Sequence, residues 1–417
     1  MTDTSRPRNT FGRWLRRHSL TVIAALGGAA GVTYAAGWGA KPPAPAPAQV
    51  ASADGAVRQT TAQPPRDTIQ DTVQIALLLD TSSSMDGLIN QARSQLWTMV
   101  DQMGRMTRVV DGKTRGARIE LALYEYGNDR IPARDGYIRQ VAPLTSDLDK
   151  VSEALQGLST NGGSEFVGQV IQTAVTSLQW SSDPTALRFV FVAGNERFDQ
   201  GPVSAAQAMA AAARKDIHVQ LIYCGPREPT WEAAARLANS DLLTIDQDSV
   251  AQHIASPQDA DILRLGNELN ATYMAYGMEG AASVARQAKA DASAAKFSPK
   301  VALERAQAKT KRSYNNAGWD LVDAVDNNRK FLDSANDNEL PAELRGKTLA
   351  EKQAIVSSNA ARRAELKARI EQLEQARNAF LAAERANQAT AAPQAQSLET
   401  ELMKTTKQVA TKKGYKF

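Results

Sequence analysis

The sequence predicts a doubly wound α/β domain with a mostly parallel sheet of six strands. An N-terminal transmembrane helix precedes it, and an all-α, partly coiled-coil region follows it. Three observations predict this. Between residues 73 and 245, short and nearly continuous apolar runs alternate with amphipathic helical segments, the pattern of parallel strands covered on both faces by crossover helices. Residues 19–40 carry no charge and follow five arginines. Beyond residue 257 strand signals stop and Ala, Lys, Arg, Glu and Gln dominate, all strong helix formers.

Residues 1–18 hold Arg6, Arg8, Arg13, Arg16 and Arg17 against a single acid, Asp3. An uncharged run of about 20 residues is long enough to cross the hydrocarbon core as a helix. Flanking arginines stay in the cytoplasm, so the rest of the chain is expected outside it, in the periplasm of an inner-membrane protein. Signal cleavage and release to the periplasm is the competing reading. Residues 41–66, with six prolines among Ala and polar residues, cannot bury a core and read as a tether.

Residues 67–257 form the predicted α/β domain. Its strands are read at 73–80, 118–127, 136–143, 187–193, 217–224 and 241–245. Helices are read at 86–106, 146–158 (with Ser146 as its cap), 164–180, 203–215 and 230–239. In such sheets ligands collect outside the carboxyl ends of the strands. The first strand delivers Asp80 to that edge, and Thr81-Ser82-Ser83-Ser84 follow. Asp80, Ser82 and Ser84 bring one carboxylate and two hydroxyls together from one loop. That donor set suits a hard cation such as Mg2+ or Mn2+, which takes oxygen ligands and keeps several waters. The competing reading is that the serines only cap the helix that follows.

The D-x-S-x-S sequence at the end of a first buried strand resembles the von Willebrand factor A (VWA) family, whose domains have this Rossmann-like layout. The resemblance implies a metal-ion-dependent adhesion site, or MIDAS, and a protein partner that offers an acidic side chain to the ion. The family also has a threonine in a Gly-Gly-Thr context on a second loop. Here the stretch is Thr160-Asn161-Gly162-Gly163-Ser164, so Ser164 matches that position and Thr160 is a substitute at the periphery. An aspartate after the fourth strand is missing. Gly194 falls in its place, with Asn195 and Glu196 beside it as peripheral oxygen donors.

The C-terminal region, 258–403, reads as helices broken at Gly277, Gly280 and Pro299. An apolar patch spans 313–334, and Leu366, Ile370, Leu373 and Phe380 form a seam interrupted by Arg377. The seam supports a short coiled coil or hairpin, and with it self-association. Residues 404–417, with five lysines and no acid, read as a basic solvated tail.

A net charge of only +4, with no basic stripe interleaved with aromatics, argues against nucleic acid. One cysteine, Cys224, and three scattered histidines offer neither a disulfide nor a zinc cage. There is no G-x-S-x-G elbow or P-loop. The leading expectation is therefore a non-catalytic binding module of a bacterial envelope. The alternatives are a scaffold acting through its helical region with a vestigial metal site, and an envelope hydrolase.

Overall fold

Alternation along the first strand builds two cores. In β1 (Asp71–Asp80), Val73, Ile75, Leu77 and Leu79 point to one face of the sheet, and Ala76 and Leu78 to the other, as the two-residue period of a strand requires. The structure, a computed structural model, describes residues 70–246, 254–388 and 398–417. The sequence-predicted transmembrane helix and tether lie outside the described residues. Among those described, no helix is long and apolar enough to cross a membrane.

β1 lies between β3 (Lys113–Tyr126) and β5 (Leu187–Gly194), parallel to both, and β6 (His218–Cys224) and β7 (Leu243–Ile245) continue the parallel order beyond β5. The other edge is antiparallel. β4 (Ile138–Thr145) pairs with the end of β3, β2 (Thr107–Val110) with its beginning, and β8 (Tyr415–Lys416) with β2. The described sheet therefore has eight strands, two more than the six expected. The unexpected β2 comes from a hairpin at Asp111-Gly112, both with positive φ. That dipeptide is a strong hairpin signal, masked here by the charged residues around it.

Helices α1 (Asp86–Gly104) and α2 (Leu148–Gln156) cover one face. Helices α3 (Val167–Ser177), α4 (Ala205–Ala213) and α5 (Pro229–Leu237) cover the other. Asp147 rather than Ser146 caps α2, its side chain accepting from the Lys150 amide.

The helical region comprises α6 (Asp259–Asn270), α7 (Gly280–Phe297), α8 (Pro299–Ala308), α9 (Leu321–Asn327), α10 (Phe331–Ser334), α11 (Leu349–Gln388) and α12 (Leu398–Lys412). The breaks fall where the sequence puts them. Gly277 takes a positive φ before α7, and Pro299 opens α8 behind the Ser298 cap. Leu321, Val322 and Leu332 from the apolar patch pack with Met274, Leu340, Leu344 and Val356. The α11 seam is used within the chain: Leu366 and Ile370 pack on Ile262, Leu265, Leu269 and Leu303, and Arg377 reaches Asp259.

This region is fastened to the α/β domain through α1. Arg305 of α8 is fully buried, bonds Asp149 of α2 at 2.7 Å and Asp291 of α7, and lies over the Trp97 ring of α1. Lys311 and Arg105 share Asp101 of α1 and Glu374 of α11.

Residues 404–417 depart most from expectation. They are not a solvated tail. Leu402, Met403 and Ala410 of α12 join the core beneath the sheet, and Thr405 donates to Gln220 of β6. Lys413 reaches Asp216, and Tyr415 in β8 lies under Arg108. The lysines hide an amphipathic stripe, with Lys404, Lys407 and Lys412 outward and Leu402, Thr406 and Ala410 inward. Leu402 is fully buried, so Leu402→Ala should cost about 2–5 kcal/mol in chemical denaturation. A change of under about 0.5 kcal/mol, the usual range for a surface substitution, would mean that the segment does not dock.

Candidate functional site

The site forms where β1, β3 and β5 end together. Leu79 lies opposite Glu125 on one side and Ala193 on the other, so Asp80 stands beside Tyr126 and Gly194. The following loop is tied down on several sides. The Thr81 amide donates to the Tyr126 carbonyl at 2.8 Å, and Asn161 donates to the Thr81 carbonyl. Asn128 donates to Thr81 and Ser159, and Glu125 binds Arg139 and accepts from Thr81.

Asp80 is fully buried. Its Oδ1 accepts from the Ser82 amide at 2.7 Å, but its Oδ2 has no partner in hydrogen-bond geometry, although the Asn195 backbone amide lies near enough to ease charge on the carboxyl. Ser82 is also buried, and its hydroxyl lacks a partner in hydrogen-bond geometry although it lies near enough to ease charge on two carboxyls. Ser84 is exposed and accepts from Asn195 Nδ2 at 2.9 Å, leaving Asn195 Oδ1 buried without a partner.

On the second loop the helix expected from Ser164 begins only at Val167. Residues 164–166 therefore stay outside it, and Ser164 does not cap it. Glu165, one residue further on, is the side chain that is buried here, and its Oε2 has no partner. Ser164 is half-buried. Thr160 donates to Asp86 at 2.8 Å, at the entrance of α1. On the third loop, Tyr223 donates to the Asn195 carbonyl and Trp231 to that of Glu196, each at 2.6 Å. The Glu196 side chain is exposed.

The glycines explain the departure on the third loop. A Cβ on Gly194 would come within 2.4 Å of the Tyr126 hydroxyl and 3.2 Å of Asp80 Oδ2. Tyr126, which donates to the Ala193 carbonyl, thus occupies the space a side chain there would need. Gly163 is equally constrained, since its Cβ would meet the Gly127 carbonyl at 2.4 Å.

Sequence reasoning missed Glu165. The signal was present as a carboxylate directly after Gly-Gly-Ser, but the periodicity placed it inside a helix.

Unpartnered buried oxygens are costly, and Asp80, Ser82, Glu165 and Asn195 all present one here. A divalent cation fits: the donors are hard oxygens, two of them carboxylates. Among the described residues no group of three or more His, Cys, Asp or Glu is placed to hold a metal, so hydroxyls and an amide would have to complete the set. Burial pushes the Asp80 carboxyl from its ordinary 3.8 up to about 7, against the Ser82 and Asn195 amides that lower it. Burial, and then the charges of Asp80 and Glu196, push Glu165 from 4.5 up to about 8. Elsewhere, burial lowers His218, which packs edge-on to Phe189, and raises the Cys224 thiol. Neither approaches the site chemistry expected of a nucleophile or ligand.

The pKa shifts have a defined sign. A carboxyl raised on folding stabilises the native state at low pH, and that contribution is lost as pH rises through the folded value. Without metal, the protein should lose stability between about pH 4 and 8, the span from the ordinary carboxyl values to the raised ones. Asp80→Asn in chelator should melt like wild type near pH 4.5 and above it at pH 8. Wild type and variant melting alike at both pH values would show that Asp80 carries no such burden.

Residues 74–260 match the family model of the von Willebrand factor type A domain, so the chain carries a VWA domain over that span. Among solved structures, proximal thread matrix protein 1 from the mussel byssus is 14% identical with a TM-score of 0.32, covering 43% of each chain. The chain thus spans less than half the length of that protein. A second form of it, with a zinc-occupied MIDAS motif, is 13% identical with a TM-score of 0.32, covering 42% of this chain and 41% of that one. The VWA domain of SpRpn10 is 14% identical with a TM-score of 0.31, covering 44% of this chain and all of that one. Comparison with curated proteins gives no match.

Proposed function

We propose that this chain is a non-catalytic, metal-dependent protein-binding module of a bacterial cell envelope. Residues 19–40 anchor it in the inner membrane, and the VWA domain and helical region lie in the periplasm. The observation that carries the reading is the set of buried, unpartnered oxygens on Asp80, Ser82 and Glu165 beneath an exposed rim of Ser83, Ser84, Gly163 and Glu196. Inward donors hold a Mg2+ or Mn2+ ion, and the rim leaves it reachable by an oxygen of another protein. Following the family resemblance, that oxygen belongs to an acidic side chain. The helical region is bonded to α1 and α2.

Residues 398–417 complete the domain core, so binding is tested with the full chain. Immobilised protein exposed to envelope extract should retain partners in Mg2+ and lose them in chelator, and Asp80→Asn should lose them in both. Partners retained equally in chelator would place recognition on the helical region and contradict the proposal.

Topology is tested separately. A reporter that is active only after export, fused behind Phe417, should be active. A silent exported reporter with an active cytoplasmic one would reverse the placement.

A further inference from the structure

We infer that Glu165 supplies the second anionic ligand of the metal site, from the second loop, in place of the aspartate absent from the third. The inference rests on the metal-site reading above and concerns which residues hold the ion. Gly127, at φ +76, shows how close the two carboxyl side chains are. A Cβ built on it would lie 2.7 Å from Glu165 Cγ and 2.8 Å from Asp80 Oδ1. Both side chains therefore press into the hollow left by one missing side chain. Each is at least nine-tenths buried and each has an oxygen without a partner, as does the Ser82 hydroxyl beside them.

Two like charges do not share a dry hollow unless something positive lies between them. Among the described residues no basic side chain is bonded to either carboxyl: Arg130, Arg139 and Arg197 are engaged by Ser159, Glu125 and Asp199. The third loop offers no buried second charge. Gly194 has no room for a side chain, Asn195 commits its amide to Ser84, and Glu196 is exposed.

The substitution changes the charge balance of the site. Asp80 alone would leave a divalent ion half neutralised and dependent on a partner's acid. Asp80 and Glu165 together match its double charge, so the ion binds before the partner and without it. A partner's acid then adds to a site that is already neutral, and loading and docking become separate steps.

The test is calorimetric titration of the full chain with Mn2+ alone, on wild type, Glu165→Gln, Glu165→Asp and, as a control exposed on α11, Glu365→Gln. Loss of groups that merely support a metal ligand costs about 10–100-fold in affinity, so loss of a ligand should cost roughly 100-fold or more. Glu165→Gln should reach that loss and Glu165→Asp should recover part of it. Glu365→Gln should stay within about threefold, the spread expected of a single exposed charge. A melt in chelator guards against misfolding: Glu165→Gln relieves a buried charge and should melt at or above wild type. Wild type binding Mn2+ with Glu165→Gln within about threefold would overturn this assignment alone, since a ligand cannot be lost so cheaply. Wild type failing to bind would overturn the metal site itself.

Discussion

Two buried carboxyl side chains lie close together at the carboxyl edge of a parallel sheet, and much of the domain is arranged around that conflict. β1 carries Asp80 to a place where it is fully buried, and the second loop turns Glu165 in beside it. Among the described residues, neither has a cationic side chain bonded to it. Left alone, the pair tolerates burial only by holding protons well above the usual carboxyl range. A divalent cation resolves the same conflict at neutral pH. The surrounding structure prevents simpler relief: Gly127 and Gly163 leave no slack in the backbone, Tyr126 fills the space above Gly194, and Tyr223 and Trp231 hold the third loop by its carbonyls.

The same edge is coupled to the rest of the molecule by α1. Its first turn follows the Asp80 loop, and its body is gripped by the helical region. Arg305 over Trp97 with Asp149, and Lys311 with Glu374, are buried charge pairs, while Arg105 joins Asp101 and Glu374 from a partly exposed position. Breaking one partner of the buried Arg305–Asp149 pair strands the other charge and costs about 3–5 kcal/mol. The two regions are therefore one structural unit. The closing helix α12 and strand β8 return from the chain's end to finish the sheet face and its edge.

Much of this was legible in the sequence. The buried strands, the order of helices and the placement of Asp80, Ser82 and Ser84 at one edge follow from apolar periodicity and a short motif. Breaks at Gly277 and Pro299 were visible because glycine and proline act locally. What stayed hidden depended on tertiary context. Glu165 lies in a segment whose pattern continues α3 backwards, yet the chain leaves the helix at Val167 so that its carboxylate can turn inward. The lysine-rich end looked soluble because outward charges outnumber the few inward apolar residues that dock it. The seam on α11 left coiled coil and hairpin both open because one helix cannot reveal that α6 and α8 cover it.

The central claim is that a divalent cation is the missing partner of Asp80 and Glu165. The most direct measurement is anomalous X-ray scattering from a crystal of the protein grown with Mn2+. The account predicts a single peak among Asp80, Ser82 and Glu165 at metal–oxygen distances of about 2.0–2.2 Å, close to those of small hard cations. A well-ordered site with no peak, its carboxyls protonated or bridged only by water, would contradict it.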